Sequence, residues 1–288
     1  MTMLHNSKKQ PIVFFGSSHF VLPIIELLQQ EYDLKLVVTT EKNPTDAIPA
    51  YCSKNTIPFV SVATLSQLKT LYDHLSVLRA PVAVLAYFGL IIPQSLIDIF
   101  PKGIVNIHPS RLPHYRGSTP GQTALVLGDV KTGVSIMLLD KDVDHGPVFI
   151  QEEETISPTE TATSLYEKLF AKGTKLLKQV LPAYLHDTML PTAQDHSHAT
   201  FTKPLTRESG FINPDQPLSP SLLDRTIRAY YPWPGVWTKI KINNKEVRIK
   251  FLPGKVLQVE GKKPISYHDF MHGYPEGEKI LKNLNLIA

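Results

Sequence analysis

Pro11-Ile12-Val13-Phe14-Phe15-Gly16, followed by Phe20-Val21-Leu22-Pro23-Ile24-Ile25-Glu26-Leu27-Leu28, is the stretch on which the fold turns. The first run has the length and apolar continuity of a buried strand. The second has helical spacing, with a proline near its start, where a helix tolerates one. Strand, glycine, helix is the opening of a doubly wound sheet. The linking Gly16-Ser17-Ser18-His19 lacks the G-x-G-x-x-G pattern, so it does not support a nicotinamide dinucleotide.

The pattern repeats downstream. Leu34–Thr39 reads as a strand, Ala47–Asn55 as a short helix, Pro58–Ser61 as a strand, Ser66–Leu78 as a helix and Pro81–Ala86 as a strand. Such alternation predicts an α/β fold with a parallel sheet covered on both faces. Gly103-Ile104-Val105-Asn106-Ile107-His108 continues it and breaks at Pro109 into the polar loop Ser110-Arg111-Leu112-Pro113-His114-Tyr115-Arg116-Gly117. Side chains alternate along a strand, so Asn106 and His108 project to one side while Val105 and Ile107 face the packing on the other. An amide and an imidazole thus stand together at a strand exit, the end at which open α/β sheets bind ligands.

Gly121–Gly128 reads as a short helix, and Thr132–Leu139 and Val148–Gln151 as strands. Between the two strands, Asp140, Asp142 and Asp144 alternate as in a calcium loop. The sixth position is His145 instead of glycine and the twelfth is Gln151 instead of glutamate, so no metal is expected. Ser157–Glu160 supplies capping residues for a long amphipathic helix over Thr161–His186.

Length favours two domains, with residues 1–186 as the catalytic unit, 187–220 as a linker rich in Pro, Thr, Asp and His, and 221–288 as a C-terminal domain. In that last part, Trp237–Ile242 and Lys245–Phe251 alternate around an Asn243-Asn244 hairpin turn. This places Lys239, Lys241, Arg248 and Lys250 on the outer face of a small β-barrel, with Ile240, Ile242, Val247, Ile249 and Phe251 filling it. Net charge is +4, and residues 239–263 hold 8 Lys+Arg against 2 Asp+Glu. A clustered basic face of this kind suits a polyanion such as a nucleic-acid backbone.

The single cysteine, Cys52, excludes an intrachain disulfide and fits a reducing compartment. Met1–Gln10 carries two lysines with no apolar core behind them, unlike a signal peptide. The longest apolar run, Pro81–Pro93, is too short to span a membrane. A monomer in the cytoplasm with no membrane association is the expectation.

Asn106-x-His108-Pro109-Ser110-x-Leu112-Pro113-x-Tyr115-Arg116-Gly117, followed at a distance by Val143-Asp144-x-Gly146, resembles the signature of folate-dependent formyltransferases. Phe88–Pro93, the Gly128–Met137 block, Ile227–Trp237 and Gly261–Ser266 bring the resemblance closest to the branch that acts on methionyl-tRNA. The likeness covers about residues 11–275. It implies a Rossmann-like catalytic domain with a mostly parallel sheet joined to an OB-like barrel. It also implies 10-formyltetrahydrofolate as formyl donor and methionyl initiator tRNA as acceptor. The basic insertion usual after the second strand is short here, with Glu41, Asp46 and only Lys42. Arg111 replaces a usual leucine and His145 a usual small hydroxyl residue.

The catalytic residues implied are Asn106, which can donate to the developing oxyanion, His108, which can donate or shuttle a proton, and Asp144, which can hold His108. For the folate, Phe88, Gly89, Leu90, Ile91 and Ile92 would line one wall and Ser110, Arg111, Leu112 and Pro113 the other. Arg111 could equally meet a phosphate, the folate's glutamate tail or solvent. Two other readings stay open at this level: a nucleotide-sugar N-formyltransferase, and a non-catalytic RNA-binding protein.

Overall fold

A computed structural model describes residues 9–242, 245–274 and 276–287. The expected turn at Asn243-Asn244 and most of Met1–Gln10 lie outside the described residues. In chain order the elements begin with β1 (Pro11–Gly16), α1 (Leu22–Glu31), β2 (Asp33–Thr39), α2 (Ala47–Lys54) and β3 (Phe59–Ser61). They continue with α3 (Leu65–Lys69), α4 (Tyr72–Val77), β4 (Val82–Ala86), α5 (Gln94–Ile97), β5 (Ile104–His108) and α6 (Pro120–Leu127). Next come β6 (Lys131–Leu138), β7 (Val148–Thr155), α7 (Ala162–Leu185) and α8 (Pro220–Ala229). The chain closes with β8 (Val236–Ile242), β9 (Lys245–Leu252), β10 (Val256–Val259), β11 (Ile265–Ser266), α9 (Tyr267–Gly273) and α10 (Gly277–Asn283).

Two compact units result, one of residues 1–117, 133–154 and 167–201, the other of 118–132, 155–166 and 202–288. The first is built on a seven-stranded sheet ordered β3-β2-β1-β4-β5-β6-β7. Its strands are parallel from β3 to β5. At β6 the sheet turns antiparallel, as the expected mostly parallel sheet allows: β6 pairs with β5 so that Asn106 opposes Met137 and His108 opposes Ser135. The fold is therefore the mostly parallel, Rossmann-like α/β sheet, with β5 held between a parallel and an antiparallel neighbour. On one face, Phe15, Val38, Ala83, Leu85, Leu96, Phe100 and Ile104 form a continuous buried cluster. On the other, α7 comes close to β5, since a Cβ at Gly173 would lie 2.5 Å from Ile107 Cγ2. Only glycine admits that approach directly beneath the strand carrying Asn106 and His108.

The helix expected over Ser66–Leu78 is two short ones, α3 and α4. Thr70 closes the first by donating its hydroxyl to the Gln67 carbonyl at 2.7 Å, a local bond that competes with helical pairing. The second unit contains the expected small β domain as a four-stranded antiparallel sheet, β11-β10-β9-β8. Leu223 and Ile227 of α8, Val236, Ile249, Phe251, Phe270 and Leu281 share its core. Three helices, α8, α9 and α10, have no counterpart in the all-β pattern read from 237–251.

Candidate active site

β5 delivers Asn106 and His108 to the same side of the sheet, each only 4% exposed. After β6 the chain turns through Asp144, whose φ of +48° is left-handed, a conformation aspartate tolerates. This turn brings the carboxylate back to β5. Asp144 Oδ1 lies 3.4 Å from Asn106 Nδ2 and 3.5 Å from His108 Nδ1, while Oδ2 accepts the Gly117 main-chain N–H at 2.7 Å. The structure thus gathers the three residues singled out in two separate sequence motifs.

His108 is fixed at both ring nitrogens. Nε2 faces the Tyr115 carbonyl at 3.0 Å, and a carbonyl can only accept, so Nε2 carries a proton and donates. Nδ1 faces the Asp144 carboxylate, where a second proton would be held between ring and carboxylate. The loop between Pro109 and Gly117 is itself tied down. Ser110 Oγ donates to the His114 carbonyl at 2.6 Å, Ser135 Oγ donates to the Ser110 carbonyl at 2.6 Å, and Leu112 N donates to Ser135 Oγ at 3.1 Å. Gln151 Nε2 donates to the Leu112 carbonyl at 2.6 Å. Ser110 and Leu112 are buried, and the Leu112–Pro113 peptide is cis. Arg111 points outward into a 2.8 Å ion pair with Glu153.

At the exit of β4, the expected wall residues divide. Phe88 and Leu90 are half-buried against the sheet core, Ile92 is buried within it, and Phe15 meets the Phe88 ring edge-on at 5.7 Å. Gly89 is exposed and Ile91 is 71% exposed, which leaves this backbone and one aliphatic side chain open to a ligand. Beside them Tyr87 packs on Phe20 and Phe170, and burial pushes its phenol up. The short loop after β2 is closed on itself: the Glu41 carboxylate accepts from Ser18 N and Ile48 N at 2.7 Å each, and Asp46 accepts from Lys42 N and Asn43 N.

The three aspartates of the calcium-like pattern turn to different partners. Asp140 Oδ2 accepts from His145 Nδ1 at 2.6 Å and its Oδ1 from Asp142 N at 3.0 Å, while Asp144 faces β5. No cluster of three or more metal-binding side chains occurs among the described residues.

In the second unit, Lys239 opposes Arg248 across β8 and β9, Lys241 opposes Glu246, and Trp237 opposes Lys250. Directly opposed residues share a face, so the four basic residues do line one side of the sheet. Lys239 is paired with Glu246 and Arg248 with Glu260, both at 2.9 Å. The face is therefore less positive than its lysine and arginine spacing implies.

Sequence reasoning assigned no role to Gln194 and His196, which lie in the stretch read as a linker. Gln194 Nε2 donates to the main-chain carbonyls of Asp144 and Gly146 at 2.9 and 2.7 Å. Neither periodicity nor spacing marks these residues, because their contacts are side chain to backbone over about 50 positions of sequence.

An amide and an imidazole buried at a sheet end beside a half-buried carboxylate, on an α/β fold without a dinucleotide fingerprint, are groups suited to acyl or one-carbon transfer. The formyl transferase family matches residues 10–181. The methionyl-tRNA formyltransferase of Chloroflexus aurantiacus is 38% identical over 236 residues, 79% of this chain and 75% of its own length. That of a Roseiflexus species is 39% identical over 237 residues, covering 79% and 72%. A 4-N formyltransferase from Francisella tularensis has the same fold, with a TM-score of 0.69 at 18% identity over 85% of this chain and 98% of that one. The chain belongs to the formyl transferase family, in its methionyl-tRNA formyltransferase branch.

Proposed function

We propose that Asn106, His108 and Asp144 transfer the formyl group of 10-formyltetrahydrofolate to the α-amino group of methionyl initiator tRNA, a step of translation initiation. The observation that carries the site is the approach of Asp144 Oδ1 to within 3.4 Å of Asn106 Nδ2 and 3.5 Å of His108 Nδ1. The substrate comes from the relatives that share more than a third of their aligned residues with this chain and bear that activity in their name.

The folate supplies an activated formyl group, and the rest is done by the chain. As the amine attacks, negative charge gathers on the formyl oxygen, and the Asn106 amide N–H is a donor already oriented at that strand end. His108 carries its Nε2 proton on the Tyr115 carbonyl, from which the ring can hand it to the developing charge while Asp144, facing Nδ1, takes up the electrostatic load. The attacking nitrogen must lose a proton and the leaving nitrogen must gain one; the His108–Asp144 pair is placed to relay it. Burial of Asn106 and His108, with the Asp144 side chain only 12% exposed, limits competing water and strengthens each of these interactions.

Gly89 and the Phe88–Ile92 turn form one wall for the folate and Ser110, Arg111, Leu112 and Pro113 the other. Lys239, Lys241, Arg248 and Lys250 would meet tRNA phosphates. This reading divides the chain into 1–186, 187–220 and 221–288 by role, as a cytoplasmic monomer that uses no metal. The test is transfer of labelled formyl from 10-formyltetrahydrofolate, offered in parallel to methionyl initiator tRNA and to amino-sugar nucleotides. Label on the tRNA, lost in His108→Ala, is the expected result. Label on a sugar would overturn the acceptor, and tRNA binding without any label would overturn the catalysis.

A further inference from the structure

The turn that carries Asp144 is held from one side by a segment that no part of the mechanism uses. Residues 192–201 begin with reciprocal 2.8 Å main-chain bonds between Thr192 and Val148 and end on the catalytic loop. There Thr200 accepts from Arg116 N through its carbonyl at 2.9 Å and from Tyr115 N through its hydroxyl at 2.8 Å. Between these anchors, Gln194 spends both amide hydrogens on the carbonyls of Asp144 and Gly146. Its Oε1 accepts from the buried guanidinium of Arg116 at 2.8 Å, and the same Arg116 Nη2 donates to His196 Nδ1 at 2.8 Å. His196 in turn lies flat on His145, centroids 3.9 Å apart and planes 2° from parallel, and His145 donates through Nδ1 to Asp140.

These contacts hold the backbone from the Asp144 carbonyl through Gly146. A left-handed aspartate keeps its carboxylate aimed only if its surroundings fix the backbone, and here the carbonyl of Asp144 and the side chain of His145 are both held by residues 194–196. Each donor and acceptor in the chain has one permitted role: guanidinium donates, so His196 Nδ1 accepts; carboxylate accepts, so His145 Nδ1 donates. We infer that Gln194, with the His145–His196 stack, positions Asp144 against His108 and Asn106. The inference rests on the catalytic reading above and adds positioning residues from a segment outside both catalytic motifs.

The test is a double-mutant cycle with a readout independent of turnover. Gln194→Ala should lower kcat by about tenfold to a hundredfold with KM for the folate held, the penalty typical of a misplaced catalytic group. In an Asp144→Asn background the same substitution should cost less than about twofold, since it acts only through Asp144. In parallel, the His108 ring-nitrogen resonances should move in Gln194→Ala in the direction that Asp144→Asn moves them. Equal losses in both backgrounds, or unmoved resonances with undiminished kcat, would overturn the inference. If the resonances move while neither Gln194→Ala nor Asp144→Asn slows turnover, the positioning stands and the catalytic reading falls. Should Gln194→Ala not fold, His196→Ala at an exposed position takes its place in the same cycle, with the same outcomes deciding.

Discussion

The main-chain N–H of Gly117 donates to Asp144 Oδ2 at 2.7 Å, joining the end of the loop after β5 to the turn after β6. This bond occupies one carboxylate oxygen and leaves the other facing both Asn106 and His108. Gly117 adopts φ +108°, outside the range open to side chains. Gly117→Ala should therefore cost about 1–3 kcal/mol of stability and turn the N–H away from Asp144. A lower melting temperature together with reduced kcat is the expected pair of observations. An unchanged melting temperature would show that the loop relaxes freely.

Removing the reacting groups should separate chemistry from binding. Asn106→Ala is expected to lower kcat by about 10²–10³-fold as an oxyanion donor is lost, and His108→Ala by about 10²–10⁴-fold. Neither should raise KM for the folate strongly if both act in the transition state. Asp144→Asn keeps an acceptor for Gly117 but loses the charge beside His108. Its loss and that of His108→Ala should combine to less than their product, because both act through one proton. Single-turnover formyl transfer measures all three, and a multiplicative double variant would separate their roles.

Cys52 is fully buried on α2, and burial, aided by the charge of Glu41, pushes its thiol up to about 11. Only the thiolate is an effective nucleophile, so the folded protein should resist iodoacetamide at pH 8 and react once denaturant is added. The sign for stability follows from the raised value. Below the ordinary thiol range both states are neutral and the contribution is complete. As pH rises from about 8.5 towards about 11, the unfolded chain ionises first and stability falls. Labelling of the native protein at pH 8 would contradict the burial.

The strands β1, β2, β4 and β5 were readable because each is an apolar run cut by turn residues, and β5 gave the pairing of Asn106 with His108 through alternation alone. Asp144 was different. Its place beside them depends on an antiparallel β6 and a left-handed turn, so only the family motif pointed to it. Gln194 and His196 were invisible, since side chain to backbone bonds across distant segments leave no local pattern. α8 did carry a signal: Ser219 precedes Pro220 at the helix start, and Leu223, Thr226 and Ile227 repeat with helical spacing. The β alternation at 237–251 is the stronger local pattern in this part of the chain. α9 likewise has its cap in plain view, Ser266 Oγ accepting from Asp269 N at 3.0 Å.

The basic face of β8 and β9 divides into paired and less constrained charges, and the two kinds should behave differently towards tRNA. Lys239 and Arg248 already neutralise Glu246 and Glu260, whereas Lys250 donates to the Pro232 carbonyl at 3.5 Å and Lys241 is exposed opposite Glu246. Each cation that engages a phosphate releases counterions and steepens the dependence of binding on salt. Lys241→Gln and Lys250→Gln should each reduce that slope by roughly one and weaken binding at low salt. Lys239→Gln should reduce the slope less, because Lys239 already spends its charge on Glu246. The converse is the sharper measurement: Glu246→Gln releases Lys239 and deletes a negative charge, so it should tighten tRNA binding and steepen the slope. A slope that stays constant across all four variants would remove this face from the interaction with tRNA and leave acceptor recognition to the catalytic unit.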